Sequence, residues 1–229
     1  MESNRFDFSR KKIYKEDVSA LSKYMRNFKL DILDLSLKEC NIGSNGIIEL
    51  SASIAFLRNL SSLDLCGNNI GPMAIAELCN SILSLNETLQ SLDLSSNSLG
   101  DKGAIVVAKV IPQMNILMKL DLTVNQIGES GVVFLSKSIK SRNSKLKTLI
   151  LSGNSFGNRG IVAIKKAVST FAPPKSAHES QKESYVMDTL PRNNIIEGTK
   201  PIATLSVLDL CYNDLGAALN LFGSAGHRV

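Results

Sequence analysis

The chain has 229 residues, a hydrophobic share of 44% and a formal net charge of +5, so it can bury a substantial core, and its charge permits an acidic partner without requiring one. No uncharged apolar run approaches the roughly 18 residues of a membrane span, and the first twenty residues lack the apolar stretch of a secretory signal. The four cysteines share no Cys-x-x-Cys spacing, which argues against a zinc or redox motif. We therefore expect a cytoplasmic protein with free thiols and without metal or cofactor, and nuclear or cytoskeletal association stays open.

The first predicted elements are a strand around Phe6–Phe8 and a helix from roughly Glu16 to Phe28, and they belong to a weak copy of a unit that recurs along the chain. The unit reads Leu-x-x-Leu-x-Leu-x-x-Asn/Cys-x-Leu-Gly, with Ile or Phe at some Leu positions, and an apolar pattern of helical period follows it. Intervals of 28 and 29 residues alternate from Cys40 to Asn154, and Phe6–Ile13 lies 29 residues before the first clear copy. Clear copies start at Ile32, Leu60, Leu89, Leu117, Leu146 and Leu205.

This unit resembles the leucine-rich repeat, and its long period resembles the ribonuclease-inhibitor-like subclass, which is also found in NOD-like receptors and Ran GTPase-activating proteins. The resemblance implies an α/β fold, a leucine-rich-repeat solenoid (horseshoe) with a parallel sheet on the concave side and helices on the convex side. We expect a single domain over residues 1–229 with about seven repeats. The N-terminal repeat (1–29) is degenerate and the C-terminal one (205–229) is incomplete.

A polar residue recurs where each unit turns after its strand. An Asn there can accept from and donate to backbone groups that a sharp bend leaves unpaired. Stacked copies therefore predict a structural ladder of hydrogen bonds, in which a Cys would bond more weakly. The ladder positions are Cys40, Asn68, Asn97, Asn125, Asn154 and Asn213.

The repeat rhythm breaks between Asn154 and Asn213, which are 59 residues apart. Residues 171–204 are rich in Pro, Ser and alternating charges, so we expect a flexible insertion there rather than a packed repeat. The insertion is either a tolerated surface loop or a docking and regulatory loop. The sequence after Gly216 is too short for a full helix and a polar cap, so we expect a fragment, a chain that dimerises through this end, or a poorly ordered last repeat.

Side chains on the outward side of the strands form the expected protein-binding surface, because strand alternation turns the residue between two buried leucines outward. On the concave face, the protein-binding positions are Ser36, Lys38, Asp64, Cys66, Asp93, Ser95, Asp121, Thr123, Ile150, Ser152, Asp209, Cys211 and Tyr212.

Three of these residues, Asp64, Asp93 and Asp121, should stand on neighbouring strands about 5 Å apart. Carboxylates at this spacing could serve acid–base chemistry or hold a divalent cation. Leu-Asp-Leu-Ser-x-Asn is the ordinary wording of this repeat family, however, so we interpret them as acceptors for nearby Ser and Thr hydroxyls. Of the two histidines, His178 lies in the insertion and His227 at the terminus. No nucleophile–base pair can therefore be assembled from the repeats themselves, and we expect no catalytic residue.

Basic residues concentrate between residues 137 and 175, and no acidic residue occurs from Ser130 to His178. This segment could meet an acidic protein surface or a lipid headgroup, or it could be a solvated face. Nucleic acid is the poorest fit, because aromatic side chains that would stack on bases are missing. The basic residues are Lys137, Lys140, Arg142, Lys145, Lys147, Arg159, Lys165, Lys166 and Lys175.

The predicted function is that of an intracellular protein–protein interaction module or scaffold, not an enzyme, which binds a partner protein on the concave face and its adjoining loops. Two alternatives follow from the resemblance. The first is a GTPase-activating regulator of the Ran-activator type, for which Arg159 is a candidate loop arginine without an assigned role. The second is a sensor fragment of a NOD-like receptor.

Overall fold

The computed structural model describes residues 4–27, 31–140, 145–169, 207–210 and 213. One parallel sheet runs in the order β1-β2-β3-β4-β5-β6-β7, and a helix follows each of the first six strands. The strands are β1 (Arg5–Asp7), β2 (Asp34–Ser36), β3 (Ser62–Asp64), β4 (Ser91–Asp93), β5 (Lys119–Asp121), β6 (Thr148–Ile150) and β7 (Val207–Asp209). The helices are α1 (Lys15–Asn27), α2 (Gly43–Ile54), α3 (Gly71–Ile82), α4 (Gly100–Val110), α5 (Glu129–Ile139) and α6 (Gly157–Ser169), and 3-10 turns follow at Leu83–Leu85 and Ile111–Gln113. The architecture is the predicted α/β solenoid.

The strands align because each carries an apolar side chain at its centre. Leu63 pairs with Leu92 and Leu92 with Leu120, so that residues at equal positions of successive repeats lie side by side. The central leucine and the leucine two residues later are both buried, as in the fourth repeat, where Leu92 is 2% exposed and Leu94, just after β4, is 0% exposed. Burying one leucine side chain contributes roughly 1.5–3 kcal/mol. The repeated pair therefore makes the sheet the inner wall of one continuous core.

The helices close the core from the convex side, where each contacts the next in sequence. Helix α4 shows the pattern, since Ala104 and Val107 are buried and Lys102 and Lys109 are exposed. Apolar residues three and four positions apart lie on one side of a helix, which leaves the other side to solvent.

Helices α4 and α5 approach closely at Gly131. A Cβ atom there would lie 2.9 Å from the Ala104 Cβ atom, which is too close for ordinary packing. The Asp101 carboxylate on α4 accepts hydrogen bonds from the backbone N–H groups of Gly128 (2.7 Å) and Gly131 (2.9 Å) at the start of α5. These contacts fix the spacing of two neighbouring repeats.

The N-terminal unit has a strand and a helix of its own. Strand β1 pairs with β2 in the register Phe6 to Leu35, and α1 lies against α2. Helix α1 ends at Asn27, and Phe28, where the sequence predicts its end, lies outside the described residues. The degenerate repeat thus extends the sheet by one strand.

The sheet passes directly from β6 to β7, where Leu149 pairs with Leu208. The predicted insertion at residues 171–204 lies outside the described residues, as do most residues of the predicted last repeat. Its strand β7 and Asn213 are described.

Candidate functional site

The concave face consists of the two side chains that flank the buried centre of each strand. The third strand position carries the row Asp7, Ser36, Asp64, Asp93, Asp121, Ile150 and Asp209. The first strand position carries the row Arg5, Asp34, Ser62, Ser91, Lys119, Thr148 and Val207. Both rows are in register across all seven strands, so they form one continuous surface that is polar except at Ile150 and Val207.

We call Asp64, Asp93 and Asp121 the aspartate row. Asp93 Oδ1 accepts hydrogen bonds from Ser95 N (2.9 Å) and Ser95 Oγ (2.6 Å). Asp121 Oδ1 accepts from Thr123 N (2.9 Å) and Thr123 Oγ1 (2.5 Å). These bonds match the interpretation of the aspartates as acceptors for nearby hydroxyls. They stiffen the turn after each strand, since a carboxylate that binds the N–H group two residues on replaces a backbone bond.

Burial and like charge act on the aspartate row. Burial raises the pKa of Asp64, and the negative charge of Asp93 raises it further. Burial also raises the pKa of Asp121, against the lowering effect of its bonds to Thr123. In the part of the chain that the structure describes, none of the three carboxylates has a lysine or arginine within ion-pairing distance. The row is therefore a half-buried strip of negative charge.

The sixth repeat interrupts this pattern, because Ile150 stands where the preceding strands carry aspartate. The buried Ser152 hydroxyl, which corresponds to the hydroxyls of Ser95 and Thr123, has no hydrogen-bond partner among the described residues. The negative strip is thus broken at β6.

A metal site or an acid–base pair on this surface would need further ligands or a histidine beside the carboxylates. No group of three or more His, Cys, Asp or Glu side chains among the described residues is arranged to hold a metal ion. Both histidines of the chain, His178 and His227, lie outside the described residues. The aspartates are already engaged by the turns that follow their strands.

Beneath the concave face, asparagine side chains join successive repeats. Asn97 Oδ1 accepts hydrogen bonds from Asn68 N (3.0 Å) and Ile70 N (3.3 Å) in the preceding repeat. Its Nδ2 donates to Leu65 O (2.9 Å) and Leu94 O (3.0 Å). Corresponding bonds are made by Asn68, Asn125 and Asn154, and Asn213 donates to Leu151 O and Leu210 O. These side chains satisfy buried backbone groups and support the surface from below.

Cys40 occupies the same position in the second repeat. Its single thiol proton is shared between Phe8 O (3.0 Å) and Lys38 O (3.5 Å), and this weak bond replaces the amide bonds of an asparagine. Burial raises the pKa of the Cys40 thiol. Burial also raises the pKa of Cys79 to about 12, so that thiol stays protonated at neutral pH.

The predicted binding residues do not all reach the surface. Lys38, Cys66 and Thr123 are half-buried and border it. Ser95 and Ser152 are only 8% and 7% exposed, so their side chains cannot serve as contact residues in this conformation. The strand ends before these positions, and the Ser95 hydroxyl turns back to Asp93. Cys211 and Tyr212 lie outside the described residues.

Sequence reasoning missed the row at the first strand position. Alternation provides the signal, because the residue before a buried leucine faces the same side as the residue after it. At the N-terminal end the two rows border a shallow depression of about 290 Å³. Its polar lining is Arg5, Asp7, Ser9, Asp34, Ser36, Ser62 and Asp64.

The predicted basic segment is divided between helices and a connection. Lys137 lies on α5, Lys165 and Lys166 lie on α6, and all three are exposed. Lys140, Lys145 and Lys147 are exposed between α5 and β6, whereas Arg142 and Lys175 lie outside the described residues. Arg159 lies in the first turn of α6 and pairs with Glu129 at 3.5 Å.

Among the described residues, no helix has both the length and the apolar character needed to cross a membrane.

Comparisons with known proteins agree with this geometry. A family profile described as "Leucine Rich repeat" matches residues 85–108, 113–136 and 142–165. Pig ribonuclease inhibitor (Sus scrofa) is 30% identical over 163 residues, which cover 59% of this chain and 36% of the inhibitor. Human NACHT, LRR and PYD domains-containing protein 12 is 28% identical over 175 residues, which cover 64% of this chain and 16% of that protein. The chain thus spans about a third or less of either relative.

Among solved structures, the leiomodin-1 actin-binding site 2 superposes with a TM-score of 0.54 at 15% sequence identity. The match covers 67% of this chain and 87% of the leiomodin chain. It supports the fold.

Proposed function

Because this chain is a leucine-rich-repeat protein whose repeats are similar to those of ribonuclease inhibitor and NACHT proteins, we propose that it is a protein-interaction module that binds its partner on the concave face and the adjoining loops. The two rows of the concave face carry this proposal, since they form an open polar surface across all seven strands. Small-molecule sites are enclosed clefts lined mostly by apolar groups. A shallow polar surface of this extent suits another protein instead.

The aspartate row indicates the charge of the partner's binding surface. Three carboxylates lie in register, and burial and repulsion by the charge of Asp93 raise the pKa of both its neighbours. Lys38 and Lys119 act on the row from a distance, but among the described residues no lysine or arginine forms an ion pair with it. A lysine or arginine of a partner would relieve this repulsion and form charge-assisted hydrogen bonds. We therefore expect a partner surface with basic side chains opposite β3, β4 and β5.

The free thiols of Cys40, Cys66 and Cys79 suit a reducing compartment, which supports a cytoplasmic setting as part of the proposal. A scaffold role would need a second binding surface in addition to the concave face.

The test compares two sets of substitutions that change charge equally. Asp64→Asn, Asp93→Asn and Asp121→Asn remove the charges of the aspartate row but keep an oxygen that can accept the turn hydrogen bonds. Glu16→Gln, Glu77→Gln and Glu87→Gln remove three exposed charges elsewhere and form the control. Partners captured from native cells by the full-length gene product are identified, purified and titrated by calorimetry against each variant.

We expect the aspartate-row variant to bind at least tenfold more weakly and the control to bind within twofold of the wild type. Ser91→Trp, at the centre of the concave face, should block the partner by size regardless of its charge. Wild-type affinity in both concave variants would refute the proposal, and so would repeated capture of chaperones alone.

A further inference from the structure

The convex face carries a row of lysines that only the folded repeats bring together. These residues lie at equal positions of three consecutive helices, nine residues after the glycine at which the helix starts or which directly precedes it. Successive helices contact each other, and packed helices lie about 8–10 Å apart. The lysine row therefore extends over about 20 Å across the helices. It consists of Lys109 on α4, Lys137 on α5 and Lys166 on α6, all exposed.

One helical turn before the lysines lies an apolar strip, which we define as Ile105, Val133, Phe134 and Val162. Phe134 is 42% exposed and Val162 is 49% exposed, whereas Ile105 and Val133 are half-buried. Side chains three and four positions apart share one side of a helix, so the strip runs parallel to the lysine row. The ammonium group of Lys137 lies 5.1 Å from the centre of the Phe134 ring, which places the charge directly beside the apolar surface.

The other side of the strip carries both signs of charge. Lys102 on α4 and Arg159 on α6 precede the strip residues Ile105 and Val162 by three positions, and Arg159 forms an ion pair with Glu129 on α5 (3.5 Å). Acidic residues of α4 and α5 are confined to the first helical turn, and α6 has none.

The preceding helices have a different surface at the same positions. Ala52 on α2 and Asn80 on α3 occupy the places of the lysine row, and Glu49 and Glu77 stand near the strip. The combination of a basic border and an apolar strip is thus local to α4–α6.

We propose that the convex face of α4–α6 binds an acidic amphipathic helix of a partner protein, on a surface separate from the concave face. The apolar side of that helix covers the strip, and its glutamates or aspartates face the lysine row. A span of 20 Å corresponds to about 13 residues of α-helix, which is within the usual length of a docking segment.

Charge complementarity selects an acidic occupant, and the partial burial of two strip residues favours a peptide over a lipid surface. Phe134 and Val162 are exposed, whereas Ile105 and Val133 are half-buried. A membrane-binding surface places its apolar side chains roughly 5–10 Å into the lipid boundary. Half-buried side chains suit a helix that brings its own leucines to them.

The experiment uses the full chain and a synthetic 15-residue peptide with leucines on one helical face and glutamates on both borders. A peptide of the same composition with scrambled order tests the need for amphipathicity. Fluorescence anisotropy measures binding at low and high salt. Lys109→Gln, Lys137→Gln and Lys166→Gln remove the lysine row, whereas Lys12→Gln, Lys15→Gln and Lys23→Gln remove three exposed lysines at the N-terminal end as a matched control.

We expect the wild type to bind the amphipathic peptide at least tenfold more tightly than the scrambled one, with an affinity that falls as salt increases. The lysine-row variant should bind at least tenfold more weakly, and the control within twofold of the wild type. Val162→Ser should weaken binding at both salt concentrations. Equal loss in both lysine variants would overturn the proposal. So would lysine-dependent binding to vesicles with 30% phosphatidylserine without binding to the peptide.

Discussion

Two aspartates at the same strand position, Asp7 and Asp121, respond to their surroundings in opposite directions. Burial raises the pKa of Asp121, so the folded chain holds this proton more strongly than the unfolded chain. Hydrogen bonds from Ser9 lower the pKa of Asp7, so the folded chain favours its ionised form. A raised carboxyl pKa makes stability fall as pH rises above the ordinary value of 3.8, and a lowered one makes stability fall as pH drops below it.

We predict that Asp121→Asn stabilises the protein at pH 7 and that the gain disappears as pH falls through the raised pKa to below 3.8. Asp7→Asn should have the opposite sign at pH 7, because it removes a carboxylate that the fold favours. Urea unfolding of both variants and the wild type between pH 3 and pH 7 provides the measurement. Identical pH dependence in all three proteins would contradict the prediction.

Val124 has a backbone conformation that β-branched residues rarely adopt. Its φ angle is +51°, and its side chain is 51% exposed at the rim of the concave face. The corresponding positions of two other repeats are Gly67 and Gly153, which adopt the same conformation as glycines. The left-handed region costs an ordinary residue roughly 1–2 kcal/mol, and asparagine tolerates it better.

We therefore expect Val124→Asn to raise the free energy of unfolding by about 1 kcal/mol in chemical denaturation. Val162→Asn is the control, because Val162 is similarly exposed but lies in a helix, where asparagine has no such advantage. A loss of stability in Val124→Asn as large as that in the control would show that the strain is compensated by contacts of the valine.

At the scale of elements, the spacing of α4 and α5 depends on the absence of a side chain at Gly131. A Cβ atom there would lie 2.7 Å from Asp101 Oδ1 and 2.8 Å from Ile127 Cγ2, in addition to its contact with Ala104. Overpacking of a tight core costs about 1–3 kcal/mol. Gly131→Ala should therefore destabilise the protein by about 2 kcal/mol, although alanine is the better helix former.

Chemical denaturation of Gly131→Ala alongside Ser130→Ala tests this packing argument, since the neighbouring Ser130 is exposed. We expect Ser130→Ala to change the free energy of unfolding by less than about 0.5 kcal/mol. An equally small change in Gly131→Ala would show that α4 and α5 have room to separate.

The sequence predicts an element well when the interactions that form it lie within one repeat, and poorly when they depend on contacts between repeats or on the orientation of one side chain. The positions of β2 to β6 follow from leucines such as Leu92 and Leu94, because burial of an alternating pair is a local requirement. The orientation of Ser95 does not follow, since it depends on a hydroxyl that turns back to Asp93 rather than outward. The lysine row was also hidden in the sequence. Lys109 precedes the basic segment in sequence, and only the stacking of repeats places it beside Lys137.

At the scale of the whole molecule, the net charge of +5 conceals two surfaces of opposite sign. Negative charge collects on the concave side at β3 to β5, and positive charge on the convex side at α4 to α6. A solenoid makes this separation easy, because strand positions and helix positions of every repeat face different directions. If both proposed surfaces bind, their partners would carry opposite charges, and two such surfaces are what a scaffold requires.

The connection between α6 and β7 is the last feature at this scale. Eight residues, 140–147, join α5 to β6, whereas residues 170–206 separate α6 from β7. The longer connection is not needed to reach a distant strand, because β6 is the neighbour of β5 in the sheet and β7 is the neighbour of β6. If residues 171–204 are an insertion, as the sequence predicts, the sheet does not need them. Loop-closure entropy then predicts that shortening the connection to eight residues raises stability by about 1 kcal/mol, since this cost grows only with the logarithm of loop length.

A variant with an eight-residue Gly/Ser connection should therefore keep the far-ultraviolet circular dichroism of its repeats and unfold at the same or a slightly higher urea concentration. Hydrogen exchange at Leu149 and Leu208 would report whether β6 and β7 still pair. A loss of several kcal/mol would mean that residues 171–204 pack against the solenoid and belong to its core. Unchanged pairing of β6 and β7 would show that the length of the connection can change while the sheet stays intact. The concave face, which this sheet supports, would then keep its structure.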